Sequence, residues 1–171
     1  DAAGSDAETV LTNLGLPSDF DLKTSNPLSD VGAQKINAAL INIMAIGEGL
    51  LEGSGLTDGE GDELIVAELV NSLKVSTDFN SVAAIKSIID SSTLNLSDDI
   101  KTKASGLAQN IADSIANSNA QILKAGSITQ IAAYQKAVLD DENSLLSSVL
   151  TALNNSTSFI TTTADAIEAA A

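Results

Sequence analysis

Apolar residues recur along this chain at steps of three and four, the spacing that gathers side chains on one face of an α-helix. Over residues 28–52 the series Val31, Ile36, Ala39, Leu40, Ile43, Ile46 and Leu50 keeps that step, and from Ala38 to Ile46 only Asn42 is polar. A helix apolar nearly all round belongs in the middle of a bundle. A second helix is expected over 62–75, burying Ile65 or Val66, Leu69, Val70 and Leu73. A short one over 80–90 carries Val82, Ile85, Ile88 and Ile89, and a long one over 97–124 carries Ile100, Ala104, Leu107, Ile111, Ile115 and Ile122. Over 127–155, Ile131, Val138, Leu145 and Ala152 fall seven apart beside Ala132, Leu139, Leu146 and Leu153, two adjacent columns of a helical seam. Nothing alternates at period two for long enough to argue a strand. The pattern predicts an all-α helical bundle of about four main helices plus short ones, including a long antiparallel hairpin of 97–124 and 127–155. Residues 1–171 form one domain in this reading, with a short helix and loop over 1–26 packed on the bundle.

Punctuation residues mark the ends. Ser5 and Glu8 have the spacing of a capping box for a first helix that stops at Gly15. Phe20 and Leu22 are expected to anchor the loop that follows, and Asn26-Pro27 reads as N-cap and first helical residue of the next helix. Glycines at 47, 49, 53, 55, 59 and 61 then break the apolar pattern, and that helix is expected to end at about residue 52. Thr57 and Glu60 form a second capping-box pattern, Ser91-Ser92-Thr93 reads as a turn, and Ser97 and Ser127 read as N-caps. Gly126, just past Lys124, suits a helix end. A short terminal helix is expected over 158–170.

Composition sharpens this picture. Apolar residues make up 44% of the 171, enough for a core, yet aromatics only 2%, so that core is aliphatic. The net charge of −15 arises without a single arginine or histidine, all eight cations being lysines. Such a surface repels polyanions and lacks the bidentate phosphate fork of arginine, so nucleic acid and anionic membrane are poor partners. Cations suit it better. No cysteine is present, which removes disulfides and thiol chemistry. The start Asp1-Ala2-Ala3-Gly4 has neither the basic residues nor the apolar run of a signal peptide, as a mature or excised fragment would. The most apolar stretch, 36–51, is too short to span a bilayer, so no membrane insertion is expected.

Residue types bear on catalysis as well. Without histidine there is no ordinary base for a serine triad, and zinc lacks its usual ligands. The glycines at 47–61 have no following lysine, so they make no phosphate-binding loop. Paired carboxylates could cleave sugars, but sugar clefts want aromatic platforms and this chain has no Trp and one Tyr. The chain is therefore read as not an enzyme, with no catalytic residue. One segment resembles the opening of a calcium loop: Asp58, Glu60, Asp62 and Glu63, interleaved with Gly59 and Gly61. That pattern then departs, with Glu63 at the sixth position and Leu69 at the twelfth. Calcium is the only cofactor these residues suggest, and the competing reading makes them helix caps on a solvated turn. A second acidic loop, Asp19, Asp21, Asn26 and Asp30, is a weaker version of the same idea. The stripe Ile128, Gln135, Glu142 and Val149 is expected to flank the seam and face water, and Asn37, Asn42, Asn117 and Asn119 to be buried residues that set helix register. Asn95-Leu96-Ser97 and Asn155-Ser156-Thr157 match the acceptor pattern for N-linked sugars.

Three pieces are informative together: Ala7 to Leu22 (AETVLTNLGLPSDFDL) with Ser25-Asn26-Pro27-Leu28, then Leu94-Asn95-Leu96-Ser97, then Ile115 to Val138 with IANSNAQI and AYQKAV. In that order the chain resembles an α-helical module of very large secreted bacterial surface proteins, adhesin-like chains that carry immunoglobulin- or cadherin-like repeats and hemolysin-type calcium-binding repeats. The resemblance implies export, a cell-surface or matrix setting and an adhesive role. Its partners would be other domains of the same large surface protein or copies of itself. It transfers no catalytic residue. The expectation is a non-enzymatic structural or adhesion module of a secreted, extracellular protein; the alternatives are a calcium- or small-ligand-binding bundle and a self-assembling surface-layer or filament subunit.

Overall fold

The structure, a computed structural model, describes residues 29–57, 59–75, 78–139 and 144–155, with Thr9, Leu11, Asp19, Phe20, Asp21, Thr24 and Asn26 ahead of them. Among the described residues the chain forms six α-helices and no strand: α1 (Val31–Ser54), α2 (Glu60–Leu73), α3 (Val82–Ser92), α4 (Asp98–Lys124), α5 (Ile128–Leu139) and α6 (Leu145–Asn155). It is an all-α bundle, as the spacing predicts.

α1 is the axis. It packs against α2, α4, α5 and α6, while α3 sits between α2 and α4. Ala39, Ile43, Ile46, Leu50 and Leu51 of α1 are fully buried, which is what a helix with apolar residues on most of its circumference requires. They meet Ile65 of α2, Ile85, Ile88 and Ile89 of α3, Ile111 and Ile115 of α4, Val138 of α5 and Val149 of α6 in one aliphatic core. A smaller cluster of Ala38, Ile122, Ala125, Ile131 and Tyr134 closes the end where α4 turns into α5.

Several boundaries differ from the sequence reading, each for a local reason. α1 begins at Val31 because Asp30, not Asn26, is its N-cap: Ala33 N donates to Asp30 Oδ1 at 2.8 Å. Asn26 instead makes a turn, its carbonyl accepting from Ser29 N at 2.9 Å. α1 also ends slightly later than expected. The helix runs through Gly47, Gly49 and Gly53 to Ser54, and Gly55, at φ 126°, is the residue that stops it. The three internal glycines are points of close helix approach. A Cβ on Gly47 would lie 2.7 Å from Ile65 Cδ1, one on Gly49 2.6 Å from Leu146 Cδ1, and one on Gly53 2.6 Å from Leu153 Cδ1.

α2 starts at Glu60 rather than Asp62 and buries Ile65 and Leu69, whereas Val70, expected inside, is 46% exposed because it lies about 100° further round the helix. Ser91 and Ser92 belong to α3 rather than to a turn. The helix expected over 127–155 is two helices. Ser144 opens α6, its Oγ accepting from Ser147 N at 3.2 Å and its carbonyl from Ser148 N at 3.0 Å. The two halves still share one face: Ile131, Val138, Leu145 and Ala152 are all buried. That face lies chiefly against α1 rather than α4, so the expected long hairpin becomes two shorter helices on the central one.

Leu11 is buried and Phe20 half-buried, but Leu22 and most of the first helix fall outside the described residues, as do Pro27 and the terminal helix over 158–170.

Candidate functional site

Four residues carried the calcium expectation. Asp58 lies outside the described residues. Glu60, Asp62 and Glu63 all fall in the first turn of α2, where the positive end of the helix dipole favours carboxylates. The turn leading into it is held by carboxylates already engaged with the backbone. Gly59 N donates to Glu52 Oε1, from the last turn of α1, at 2.6 Å, and Thr57 N donates to Glu60 Oε2 at 3.3 Å. Glu60 thus completes half of the capping box that its spacing from Thr57 suggested. Gly59 is left-handed at φ 84°, a conformation that favours glycine, and Gly61 lets α2 approach α1, since a Cβ there would stand 3.2 Å from the Glu48 carbonyl oxygen. Among the described residues no three acidic side chains are grouped to hold a metal ion. The second acidic loop is likewise tied to local turns: Asp21 Oδ2 accepts from Thr24 Oγ1 at 2.6 Å, Asp30 caps α1, and Asp19 and Asn26 are exposed.

Among the described residues, a buried polar pair joins Asn42 of α1 to Asn119 of α4. Both side chains are fully buried, and Asn42 Nδ2 donates to Asn119 Oδ1 at 3.1 Å. Asn119 Nδ2 donates to the Phe79 carbonyl at 2.9 Å and reaches the Ala39 carbonyl at 3.4 Å. These contacts determine both amide orientations. Two carbonyls facing Asn119 require its NH₂ group there, which leaves its oxygen toward Asn42 and demands the NH₂ of Asn42 in return. Three segments are pinned by one side chain: α1, α4 and the turn before α3. Asn42 Oδ1 remains buried without a partner, a cost of about 1–3 kcal/mol that the surrounding packing offsets. Of the four asparagines expected inside, the other two are not: Asn37 is exposed and Asn117 half-buried.

Four buried serines among the described residues turn back on their own helices. Ser54 Oγ donates to the Leu50 carbonyl, Ser92 Oγ to Ile89, Ser114 Oγ to Asn110 and Ser118 Oγ to Ser114, at 2.7–3.1 Å. The stripe expected to face water does so only in part. Ile128 and Gln135 are half-buried, Glu142 lies outside the described residues, and Val149 is fully buried because, four residues after Leu145 and three before Ala152, it shares their inward face. The close-approach glycines of α1 were the feature that sequence reading missed. Gly49-x-x-x-Gly53 was the available signal, since residues four apart share one helix face.

Among the described residues no helix is long and apolar enough to cross a membrane. No protein-family model, no curated protein and no solved structure matches this chain.

Proposed function

We propose that this chain is a non-enzymatic structural module of a secreted bacterial cell-surface protein, one that spaces or presents neighbouring domains. The observation that carries the reading is where the interior polar groups are spent. Ser54, Ser92, Ser114, Ser118, Asn42 and Asn119 bond to the chain's own backbone or to each other, so the interior serves rigidity. The acidic, arginine-free and cysteine-free composition supports an extracellular setting, and the sequence pieces at 7–28, 94–97 and 115–138 support the adhesin-like context.

The test is accessibility on intact cells. Antibodies raised against the purified chain are expected to label unpermeabilised cells or their extracellular matrix, and brief surface proteolysis is expected to remove the label. Labelling only after permeabilisation would overturn the reading.

The competing calcium reading is separated by thermal unfolding. Calcium and sodium at equal ionic strength are expected to act alike on this module. A calcium-specific rise in Tm at micromolar to millimolar concentration, lost in a Glu60→Gln/Glu63→Gln variant, would instead assign the acidic turn to a metal.

A further inference from the structure

The turn joining α3 to α4 carries the sequence Leu94-Asn95-Leu96-Ser97, and all but one of these residues are exposed. Leu94 is 66% exposed, Asn95 and Ser97 are exposed, and Leu96 between them is half-buried against the main core. Leu96 packs on the core, while Asn95 and Ser97 on either side of it both lie at the surface.

Two further observations concern those side chains. Ser97 occupies the N-cap of α4 in the expected extended conformation, φ −61° and ψ 152°, yet makes no side-chain cap bond. Asp98 and Asp99 supply the favourable charge at that helix start instead, leaving the serine hydroxyl uncommitted. The turn itself is secured without the Asn95 side chain. Leu96 N donates to the Thr93 carbonyl at 3.1 Å, and Lys101 Nζ donates to the Leu94 carbonyl at 3.0 Å. An exposed amide and an exposed, unused hydroxyl two residues apart form the acceptor pair that N-linked glycosylation requires in a surface turn.

We propose that Asn95 is an N-linked sugar acceptor on the folded domain, with Ser97 as its positioning residue. The donor is a sugar activated as a diphosphate, on a nucleotide or a lipid carrier, and a glycosyltransferase supplies the catalytic base. In the transfer, Asn95 Nδ2 bonds to the anomeric carbon as that carbon's bond to the diphosphate oxygen breaks. The diphosphate leaves with the bonding pair, and the amide proton passes to the transferase base. The Ser97 hydroxyl hydrogen-bonds to the Asn95 side chain and holds it in a reactive orientation. By contrast Asn42 and Asn119 are buried in the core, and the second acceptor pattern at 155–157 lies outside the described residues except for its helical first residue.

The inference draws on the proposed extracellular setting for its biological sense, and its test is independent of it. Protein recovered from its native source is digested with trypsin, and the peptide Ser87–Lys101 is weighed before and after enzymatic deglycosylation. The expected result is a sugar increment on Asn95, with Asn95→Gln and Ser97→Ala each losing it and Ser97→Thr keeping it. A bare Asn95 in native protein overturns the inference even where the chain is found on the cell surface. An undiminished increment in the Ser97→Ala variant overturns the role given to Ser97. Sugar on Asn95 of a chain confined to the cell interior sustains the inference and fails the surface reading. As an unfolding control, Ser97→Ala is expected to leave Tm unchanged, because no cap bond is lost.

Discussion

Gly47, Gly49 and Gly53 sit in the interior of α1, where glycine costs about 1 kcal/mol of helix propensity relative to alanine. What offsets this differs among them. At Gly47 an added Cβ would meet Ile65 at 2.7, 3.0 and 3.3 Å, and Ile65 is fully buried and β-branched, with nowhere to move. Gly47→Ala is therefore expected to destabilise the domain by about 1–2 kcal/mol, the overpacking cost exceeding the propensity gain. At Gly49 the contact closer than ordinary van der Waals distance is the terminal methyl of Leu146, which is half-buried and free to rotate. Gly49→Ala is expected to stay within about 0.5 kcal/mol of the parent. Urea unfolding of both variants checks the contrast, and equal losses would contradict it. The asparagines make a second contrast. Asn119→Ala leaves the Phe79 carbonyl and the Asn42 amide unpaired, an expected loss of about 2–4 kcal/mol, whereas Asn42→Ala leaves only Asn119 Oδ1 without its donor while removing an oxygen that has no partner, and is expected to cost about half as much. Denaturation midpoints in the reverse order would mean that the Asn119 contacts do not hold the three segments together.

At the scale of elements, the helix start at Ser97 was legible in the sequence, and the start of α1 was misread because several candidate caps compete there. Asp30 prevailed over Asn26 because its carboxylate reaches Ala33 N, and Ser144 interrupts a heptad pattern that reads without a break in the sequence. Periodicity reports which residues share a face, and α5 and α6 do share one, so the pattern could not disclose the break between them. The caps predict graded losses. Asp30→Ala and Ser144→Ala each remove an observed acceptor and are expected to cost about 1 kcal/mol, while Ser97→Ala removes none and is expected to cost less than about 0.3 kcal/mol. Differential scanning calorimetry of the three variants would show it. The acidic turn was legible in its composition and not in its use. Spacing alone could not tell a ligand from a cap, and Glu52, the carboxylate that holds Gly59, lies seven residues upstream in another helix.

For the molecule as a whole, a charge of −15 on 171 residues sets the dominant long-range term. Among the described residues Lys86 and Asp90, one turn apart on α3, form an ion pair, but eight lysines cannot neutralise 23 acids. Self-repulsion lowers the stability of the compact state, and added salt screens it. Tm is expected to rise steadily as NaCl increases from about 0.05 M to about 0.5 M, the range over which the Debye length falls from roughly 14 Å to 4 Å. A flat or falling Tm across that range would mean that the acidic groups are locally compensated.

What the amino-acid order determined alone is the helical class, the aliphatic make-up of the core and the central place of α1. Each follows from local spacing and side-chain type, which act within a few residues. Tertiary structure decided which asparagines meet, which glycines are contact points and which acceptor caps each helix. Asn42 and Asn119 are separated by 77 positions, and Gly49 meets a leucine nearly a hundred residues further along. Such contacts depend on how whole helices dock, and docking minimises the packing energy of many side chains at once, so no single stretch of sequence contains it.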